Sequence, residues 1–155
     1  MSQKSKENAG LVKAVCVSKK TGMRKKNIGE GLLIENLGLQ DDAHADSSTH
    51  RQVSLLAMES IKKMQDMGLK VSEGDFAENI TTEDIDLLSL PLGSRIQLGN
   101  EALVEISQHG KECHAPCAIY RQAGTCVMPE EGVFAKVLQG GNRKAGDIIK
   151  RIVYK

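Results

Sequence analysis

The sequence predicts a mainly β protein with a few helices, built as a mostly antiparallel β-barrel with the helices at its rim. Two observations favour this class. Short apolar segments rich in valine, isoleucine and leucine recur between turn-forming residues, and they do not alternate regularly with helices as a doubly wound parallel sheet would require. We expect one domain at residues 11–155, preceded by a flexible N-terminal tail at residues 1–10.

Strands are predicted wherever an apolar, β-branched segment is bounded by turn residues. LVKAVCVS at 11–18 and GLLIEN at 31–36 are the first two. SRIQLGNEALVEIS at 94–107 reads as two strands joined at Gly99 and Asn100. DIIKRIVY at 147–154 is the last.

Two segments show helical patterns. In VSLLAMESIKKMQDMG at 53–68, apolar residues recur at helical spacing and Gly68 can supply a left-handed C-terminal cap. In PEEGVFAKVLQGG at 129–141, Pro129 and two glutamates suit a helix start, while Gly140 and Gly141 end it. We therefore expect a helix at each position.

Composition excludes several classes of partner. The chain carries a net charge of +1, has no tryptophan and contains only two tyrosines and two phenylalanines, so neither a basic field nor stacking platforms for nucleic acid are expected. No apolar run approaches the about 18 residues that span a bilayer, and the N-terminus lacks the apolar core of a signal peptide. We expect a cytoplasmic protein that contacts neither nucleic acid nor membrane.

Basic residues crowd around the turn-forming pair Thr21-Gly22, and they are Lys19, Lys20, Arg24, Lys25 and Lys26. Two interpretations remain open for this segment. It is a solvated hairpin tip, which is the usual behaviour of a short charge run, or it is a loop that attracts an anion.

Three of the four cysteines lie within KECHAPCAIYRQAGTC at 111–126. A domain of 155 residues buries enough surface to fold without staples, and a reducing cytosol disfavours a structural disulfide. A reactive thiol at Cys117 is one interpretation, because the cationic side chains of Lys111, His114 and Arg121 favour a thiolate. The fourth cysteine, Cys16, belongs to the first predicted strand and is expected in the core.

A zinc site is the main structural alternative for the same segment. Four side chains offer a tetrahedral set of sulfur and imidazole donors, namely Cys113, His114, Cys117 and Cys126. The spacing lacks a paired CxxC, however, and adjacent residues such as Cys113 and His114 seldom both point at one ion. Inert buried thiols are a third interpretation.

Two further loops carry polar candidates. Residues 37–56 contain His44, which is either a ligand-binding or a hydrogen-bonded structural residue, and Arg51, which either holds an anion in bidentate fashion or forms a surface salt bridge. Residues 73–99 contain Glu78 and Asn79. An asparagine presents both a donor and an acceptor to a ligand, or it satisfies a turn.

The order of these motifs resembles the MOSC domain, the module at the C-terminal end of molybdenum cofactor sulfurases that also occurs as small stand-alone bacterial proteins. The matching segments follow one another from residue 38 to residue 117: GLQDDAHAD, HRQVSLL, GDFAENITT, LPLGSRIQLG and LVEISQHGKECHAPC. The resemblance covers nearly the whole chain from about residue 11. It implies a mostly antiparallel β-barrel of MOSC type.

The resemblance also implies a function, which is binding of the molybdenum cofactor (molybdopterin) or carriage of its sulfur. Cys117, in APC, matches the family cysteine that carries persulfide sulfur or ligates molybdenum, and Cys113 is a candidate resolving partner that would leave a disulfide. The expected cofactor-binding residues are His44, Arg51, Glu78, Asn79, His114 and Arg121. The glycines that flank the family's DAHA motif are replaced here, with Asp41 before it and Asp46 after it.

Two alternatives stay open beside this function. One is a molybdenum-dependent reductase of N-hydroxylated compounds that needs a separate electron donor, and the other is a structural zinc- or thiol-containing binding module. The expected partners are molybdenum cofactor biosynthesis proteins, a cysteine desulfurase or a molybdoenzyme. Pyridoxal phosphate would act only through a separate desulfurase, because the sequence contains no desulfurase domain of the kind fused to the eukaryotic sulfurases.

Overall fold

The computed structural model describes residues 9–20, 23–110 and 128–152. Its strands are β1 Ala9–Val17, β2 Lys26–Asn27, β3 Glu30–Ile34, β4 Gly38–Leu39, β5 Val53–Ala57, β6 Ile80–Glu83, β7 Arg95–Leu98, β8 Ala102–His109, β9 Val133–Gln139, β10 Gly141–Lys144 and β11 Ile148–Ile152. The helices are α1 Met58–Asp66, α2 Met128–Glu131 and a 3₁₀ helix at Leu87–Ser89.

Seven of the described strands close into a barrel. They follow the order β11-β7-β8-β9-β5-β6-β1, and β1 pairs with β11 to complete the ring, with Leu11 opposite Ile148. Of these pairs only β5 with β6 is parallel. β2 extends β1, while β3, β4 and β10 form a separate small sheet. The predicted mainly β, mostly antiparallel barrel is confirmed.

The barrel interior forms from the alternating faces of the strands. Along β8 the side chains of Ala102, Val104 and Ile106 are buried, and the residues between them are half-buried. A second apolar layer lies outside the barrel, where α1 packs Ile61 and Met64 onto neighbours that include Leu56 and Phe134. β5 lies between the two layers, which explains why four of its five residues are apolar and why its apolar residues do not alternate with polar ones.

The structure corrects the predicted helix at 53–68. Its first five residues form β5, and the helix begins only at Met58. Because Val53 and Leu55 point into the barrel while Leu56 points at α1, the segment is apolar on every side and its helical spacing was coincidental. The end was predicted correctly, since Gly68 follows the helix with φ of +94°.

The predicted helix at 129–141 is also wrong. α2 ends at Glu131, and Val133–Gln139 is strand β9, which pairs with β8 on one side and β5 on the other. The buried residues Val133, Ala135 and Val137 alternate with period two, the strand pattern. Pairing on both edges supplies hydrogen bonds that the local sequence does not reveal.

The other predicted strands are confirmed, with shifts of one or two residues at their ends. β1 begins at Ala9, so the last two residues of the predicted tail belong to the barrel; residues 1–8 lie outside the described part. Within the described residues, no helix is long and apolar enough to cross a bilayer.

Candidate functional site

The loop that carries His44 is fixed against the end of β1. The carboxylate of Asp42 accepts a hydrogen bond from the backbone N–H of Ser18 at 3.0 Å, and the N–H of Ala43 donates to the carbonyl of Ser18 at 2.9 Å. The N–H of Ala45 donates to the Asp42 carbonyl at 3.2 Å. These bonds leave the backbone of the loop little freedom.

Asp42 also fixes His44 directly. Its Oδ2 accepts the backbone N–H of His44 at 2.9 Å, which forms an Asx-turn, and lies 3.7 Å from the imidazole Nδ1. The Asp42 side chain is fully buried, whereas the His44 side chain is 18% exposed. His44 thus lies at the boundary between the buried network and solvent, where an imidazole can reach a bound molecule.

Lys25 is buried behind this loop. Its ammonium donates to Asp42 Oδ1 at 2.8 Å and to Ser18 Oγ at 3.0 Å, and neither side chain of the ion pair is exposed. The sequence allowed Lys25 to belong to an anion-attracting loop, but an internal carboxylate occupies its ammonium. Lys26, by contrast, is exposed.

The charge of Asp42 is maintained by its partners. Burial acts to raise the pKa of this carboxyl, but hydrogen bonds from Lys25, the Ser18 backbone, the Asn79 side chain and the His44 backbone outweigh it and lower the pKa below its ordinary value of 3.8. Asp42 is therefore an anion at neutral pH.

The backbone of Lys25 reaches the second motif. Its N–H donates to the carbonyl of Gly74 at 2.7 Å, and the N–H of Gly74 donates to Glu78 Oε2 at 2.8 Å. Gly74 has φ of +88°, and a Cβ there would lie 2.2 Å from the Lys25 carbonyl oxygen. Only glycine permits this approach.

The Glu78 side chain is directed into the protein. Besides Gly74, it accepts hydrogen bonds from the backbone of Phe76 at 3.2 Å and from the hydroxyl of Thr81 at 2.6 Å. The residue is not exposed, and burial raises the pKa of its carboxyl. Glu78 holds the turn that precedes β6.

Asn79 connects three elements of the fold. Its Oδ1 accepts from the backbone N–H of Ser54 at 3.0 Å, and its Nδ2 donates to the carbonyl of Cys16 at 3.1 Å. The residue directly precedes β6 and is completely buried, so its polar atoms serve β1 and β5 rather than solvent. Direct contact of Glu78 or Asn79 with a ligand stays a prediction.

Arg51 lies on the outer face of the barrel. Its exposed guanidinium stands over the ring of Phe134, 5.7 Å from the centroid, and the neighbouring carbonyl of His50 accepts a hydrogen bond from Ser107 Oγ at 2.7 Å. In the part of the chain that the structure describes, no carboxylate oxygen lies within 4.0 Å of this guanidinium. The described residues thus provide no salt bridge for Arg51.

The register of the sheet connects Asn79 with Gln108, which comes shortly before the cysteine-containing residues 111–126 in the sequence. Asn79 bonds to Ser54, Ser54 is opposite Phe134, and Phe134 is opposite Gln108, so one row crosses four adjacent chain segments. At about 4.8 Å per strand the row spans about 14 Å. Gln108 lies two positions before Gly110, the last described residue ahead of 111–127, and the N–H of Gly110 donates to the Gly132 carbonyl at 2.7 Å.

The predicted residues of that segment lie outside the described residues, and they are Cys113, His114, Cys117, Arg121 and Cys126. Their roles stay predictions. Cys16 lies in β1, is fully buried and has its pKa raised to about 12 by burial and then by the charges of Glu78 and Glu73, so its interpretation as a core thiol is confirmed. Across residues 9–20, 23–110 and 128–152, no group of three metal-ligating side chains occurs.

Sequence reasoning missed the ion pair of Lys25 and Asp42. The two residues are 17 positions apart and belong to different loops, so no local pattern relates them.

Comparison with known proteins gives one family and several related folds. The family model of the MOSC domain matches residues 40–150. The YUAD protein from Bacillus subtilis is 16% identical, with 95% of this chain and 97% of that chain covered and a TM-score of 0.77. YiiM from Geobacillus stearothermophilus is 17% identical, with 93% and 75% covered and a TM-score of 0.65.

YiiM from Escherichia coli is similar to the chain at 17% identity, with 94% of this chain and 71% of that chain covered and a TM-score of 0.63. At these identities the three structures show the fold alone. No curated protein sequence matches the chain.

Proposed function

Because the chain belongs to the MOSC domain family, which is linked to molybdenum cofactor binding, we propose that it binds this cofactor and that Cys117 carries its sulfur or ligates its molybdenum. One observation supports the proposal above the others. The DAHA motif and the EN pair, which are far apart in sequence, meet in one network through Lys25. Its ammonium donates to Asp42, its backbone N–H donates to Gly74, and the N–H of Gly74 donates to Glu78.

The described residues fit a pterin phosphate ligand. Arg51 offers a planar, solvent-facing guanidinium of the kind that binds phosphate in bidentate fashion. His44 offers a partly exposed imidazole, which suits a pterin edge or a phosphate oxygen. Lys25, Glu78 and Asn79 act behind them, since their polar atoms hold the loops in place.

When bound, the cofactor supplies a molybdenum centre with its redox and sulfur chemistry. The chain itself supplies the thiol. Cationic neighbours favour the thiolate of Cys117, which is both a nucleophile and a soft metal ligand. If Cys117 carries a persulfide, attack by the Cys113 thiol yields a Cys113–Cys117 disulfide and releases the outer sulfur as hydrogen sulfide, so atoms and electrons balance.

Partners and location follow from this role. A separate cysteine desulfurase, with its own pyridoxal phosphate, would load the sulfur, and a molybdoenzyme or a protein of cofactor biosynthesis would receive the product. We place the exchange in the cytoplasm, where thiols stay reduced.

Native mass spectrometry tests the proposal. The protein is purified without reductant and compared with the Cys117→Ala variant, and Cys16→Ala serves as the matched thiol control because Cys16 is buried. We expect an added sulfur atom or a molybdopterin-sized ligand in the wild type and in Cys16→Ala, but not in Cys117→Ala. A zinc-sized adduct, or an adduct that persists without Cys117, would contradict the assignment.

The role of Arg51 has its own test, which is the affinity for molybdopterin of Arg51→Ala and Arg51→Lys. Loss of a hydrogen bond to a charged group, worth about 1.5–3 kcal/mol, predicts about 10- to 150-fold weaker binding for Arg51→Ala. Arg51→Lys should recover only part of it, because lysine lacks the fork. Arg24→Ala, which removes another exposed arginine, should bind as the wild type.

A further inference from the structure

Lys25 joins the two loops that carry the family motifs. We propose that Lys25 is a positioning residue of the ligand site, whose ammonium, through Asp42, sets the direction in which His44 faces the ligand. Binding of the ligand rests on the proposed function, but the positioning of His44 is a property of the protein alone.

The first step of the argument is the way Asp42 is shared. Oδ1 accepts from Lys25 Nζ at 2.8 Å and from the Ser18 N–H at 3.0 Å, while Oδ2 accepts the His44 N–H at 2.9 Å. The carboxylate is thus held on one oxygen and holds His44 with the other. Because a carboxylate is planar, fixing Oδ1 also fixes Oδ2.

The second step is the absence of solvent. The side chains of Lys25 and Asp42 are both 0% exposed. Without the ammonium, water cannot easily replace it, and a buried unpaired carboxylate is strongly unfavourable. Asp42 would therefore rotate toward solvent or take up a proton, and either change alters the contacts of Oδ2 with the His44 backbone and imidazole.

The third step is the link to the other motif. The same lysine donates its backbone N–H to Gly74, and the N–H of Gly74 donates to Glu78. Lys25 thus holds the His44 loop with its side chain and the turn before Asn79 with its backbone. A surface lysine at a hairpin tip would make neither contact.

The experiment compares three variants. Lys25→Met keeps the aliphatic stem and removes the ammonium. Lys25→Met/Asp42→Asn restores neutrality but turns one carboxylate oxygen into an NH2 donor. Because the N–H groups of Ser18 and His44 bond to different oxygens of Asp42, one of them then faces a donor. Lys63→Met is the matched control, because Lys63 pairs with Glu131 at 2.9 Å but is exposed and far from the site in sequence.

Two measurements are made on each variant. The imidazole proton signals of His44 are recorded by NMR in the protein without ligand, assigned among the four histidines with His44→Gln. The affinity for molybdopterin is then measured at a temperature where denaturation curves show the variant folded. Loss of a group that orients a contacting residue costs on the order of 10- to 100-fold in affinity at metal sites, and we expect a similar loss here.

We expect the His44 signals to move and the affinity to fall in both Lys25 variants. The double variant should be more stable than Lys25→Met, because it buries no unpaired charge. Lys63→Met should change neither the His44 signals nor the affinity. Unchanged His44 signals in Lys25→Met would overturn the proposal. Full affinity in the double variant would overturn it as well, since Lys25 would then only neutralise a charge. If the signals move but the wild type does not bind molybdopterin, the positioning of His44 stands and the proposed function fails.

Discussion

Replacing Asn79 by alanine separates a structural role of this residue from a ligand-binding one. The resemblance to the family implies that Asn79 contacts the cofactor. In the structure its side chain is completely buried and pairs the Ser54 N–H with Oδ1 and the Cys16 carbonyl with Nδ2. Replacement of Asn79 by alanine therefore leaves both of these backbone groups without their partner.

The magnitude follows from the groups left behind. Each buried backbone group without a partner costs about 1–3 kcal/mol, so two groups predict a loss of about 2–6 kcal/mol in the free energy of unfolding. The Ser54 hydroxyl adds little, because it still donates to the Ala77 carbonyl and accepts from the Asn79 N–H. A loss near the centre of this range is a large part of the stability of an ordinary domain.

Urea denaturation followed by circular dichroism measures the loss. With a slope of about 2 kcal/mol per molar urea, a loss of about 4 kcal/mol lowers the midpoint by roughly 2 M. Asn27→Ala is the matched control, since Asn27 is exposed and makes one local hydrogen bond to the Gly29 N–H at 3.0 Å. We expect its effect to stay within about 0.5 kcal/mol.

The outcome decides the role of Asn79. A loss below about 1 kcal/mol would refute the reasoning, because the buried backbone would then tolerate the missing side chain. If such a stable variant also lost affinity for molybdopterin, Asn79 would contact the ligand as the family resemblance implies. A strongly destabilised variant that still binds when folded would assign it to the scaffold.

Three further predictions concern the same network. The pKa of Glu78 is raised, so above pH 4.5 the folded protein still holds a proton that the unfolded chain has released. The free energy of unfolding should therefore fall as the pH rises from 4.5 toward the pKa of the folded state. Urea titrations at several pH values should show a weaker pH dependence for Glu78→Gln. Gly74→Ala should destabilise the protein more than Gly68→Ala. Both glycines have positive φ, but of the two only a Cβ at Gly74 would collide with backbone atoms. Equal melting temperatures of the two variants would contradict this prediction. Cys16 has a pKa of about 12, so in the native protein it should not react with iodoacetamide at pH 8, whereas it should react after denaturation. Peptide mass mapping locates the label. Labelling of Cys16 in the native protein would contradict its burial.

Much of the barrel could be predicted because its strands carry their own pattern. β8 alternates buried and half-buried side chains, and the Gly99-Asn100 pair marks its turn from β7. β5 and β9 could not be separated from helices, since β5 is apolar on both faces and β9 follows a helix start at Pro129. In both strands the deciding contacts come from distant partners, which local spacing does not encode.

The sequence predicts which residues are candidates for the site, but not the hydrogen bonds that connect them. His44 and Arg51 were placed in a loop by composition, and the structure leaves both at least partly exposed. The inward direction of Asn79 and the burial of Lys25 depend on β1, β5 and two loops meeting at one point. A lysine in a basic run is usually solvated, so only the fold shows that Lys25 pairs with a buried carboxylate.

The aspartates that replace the flanking glycines of the DAHA motif show how the loop keeps its shape. Asp41 has φ of +67°, the left-handed conformation that glycine adopts freely and that aspartate tolerates better than most residues. Asp46 accepts hydrogen bonds from the N–H and hydroxyl of Ser48 at 2.8 and 2.6 Å, so it holds a turn through its side chain. The loop thus has a left-handed residue at position 41 and a side-chain-held turn at position 46 without glycine at either position. The contacts of Asp42 with Lys25, Ser18 and the His44 N–H, rather than glycine, therefore fix this loop.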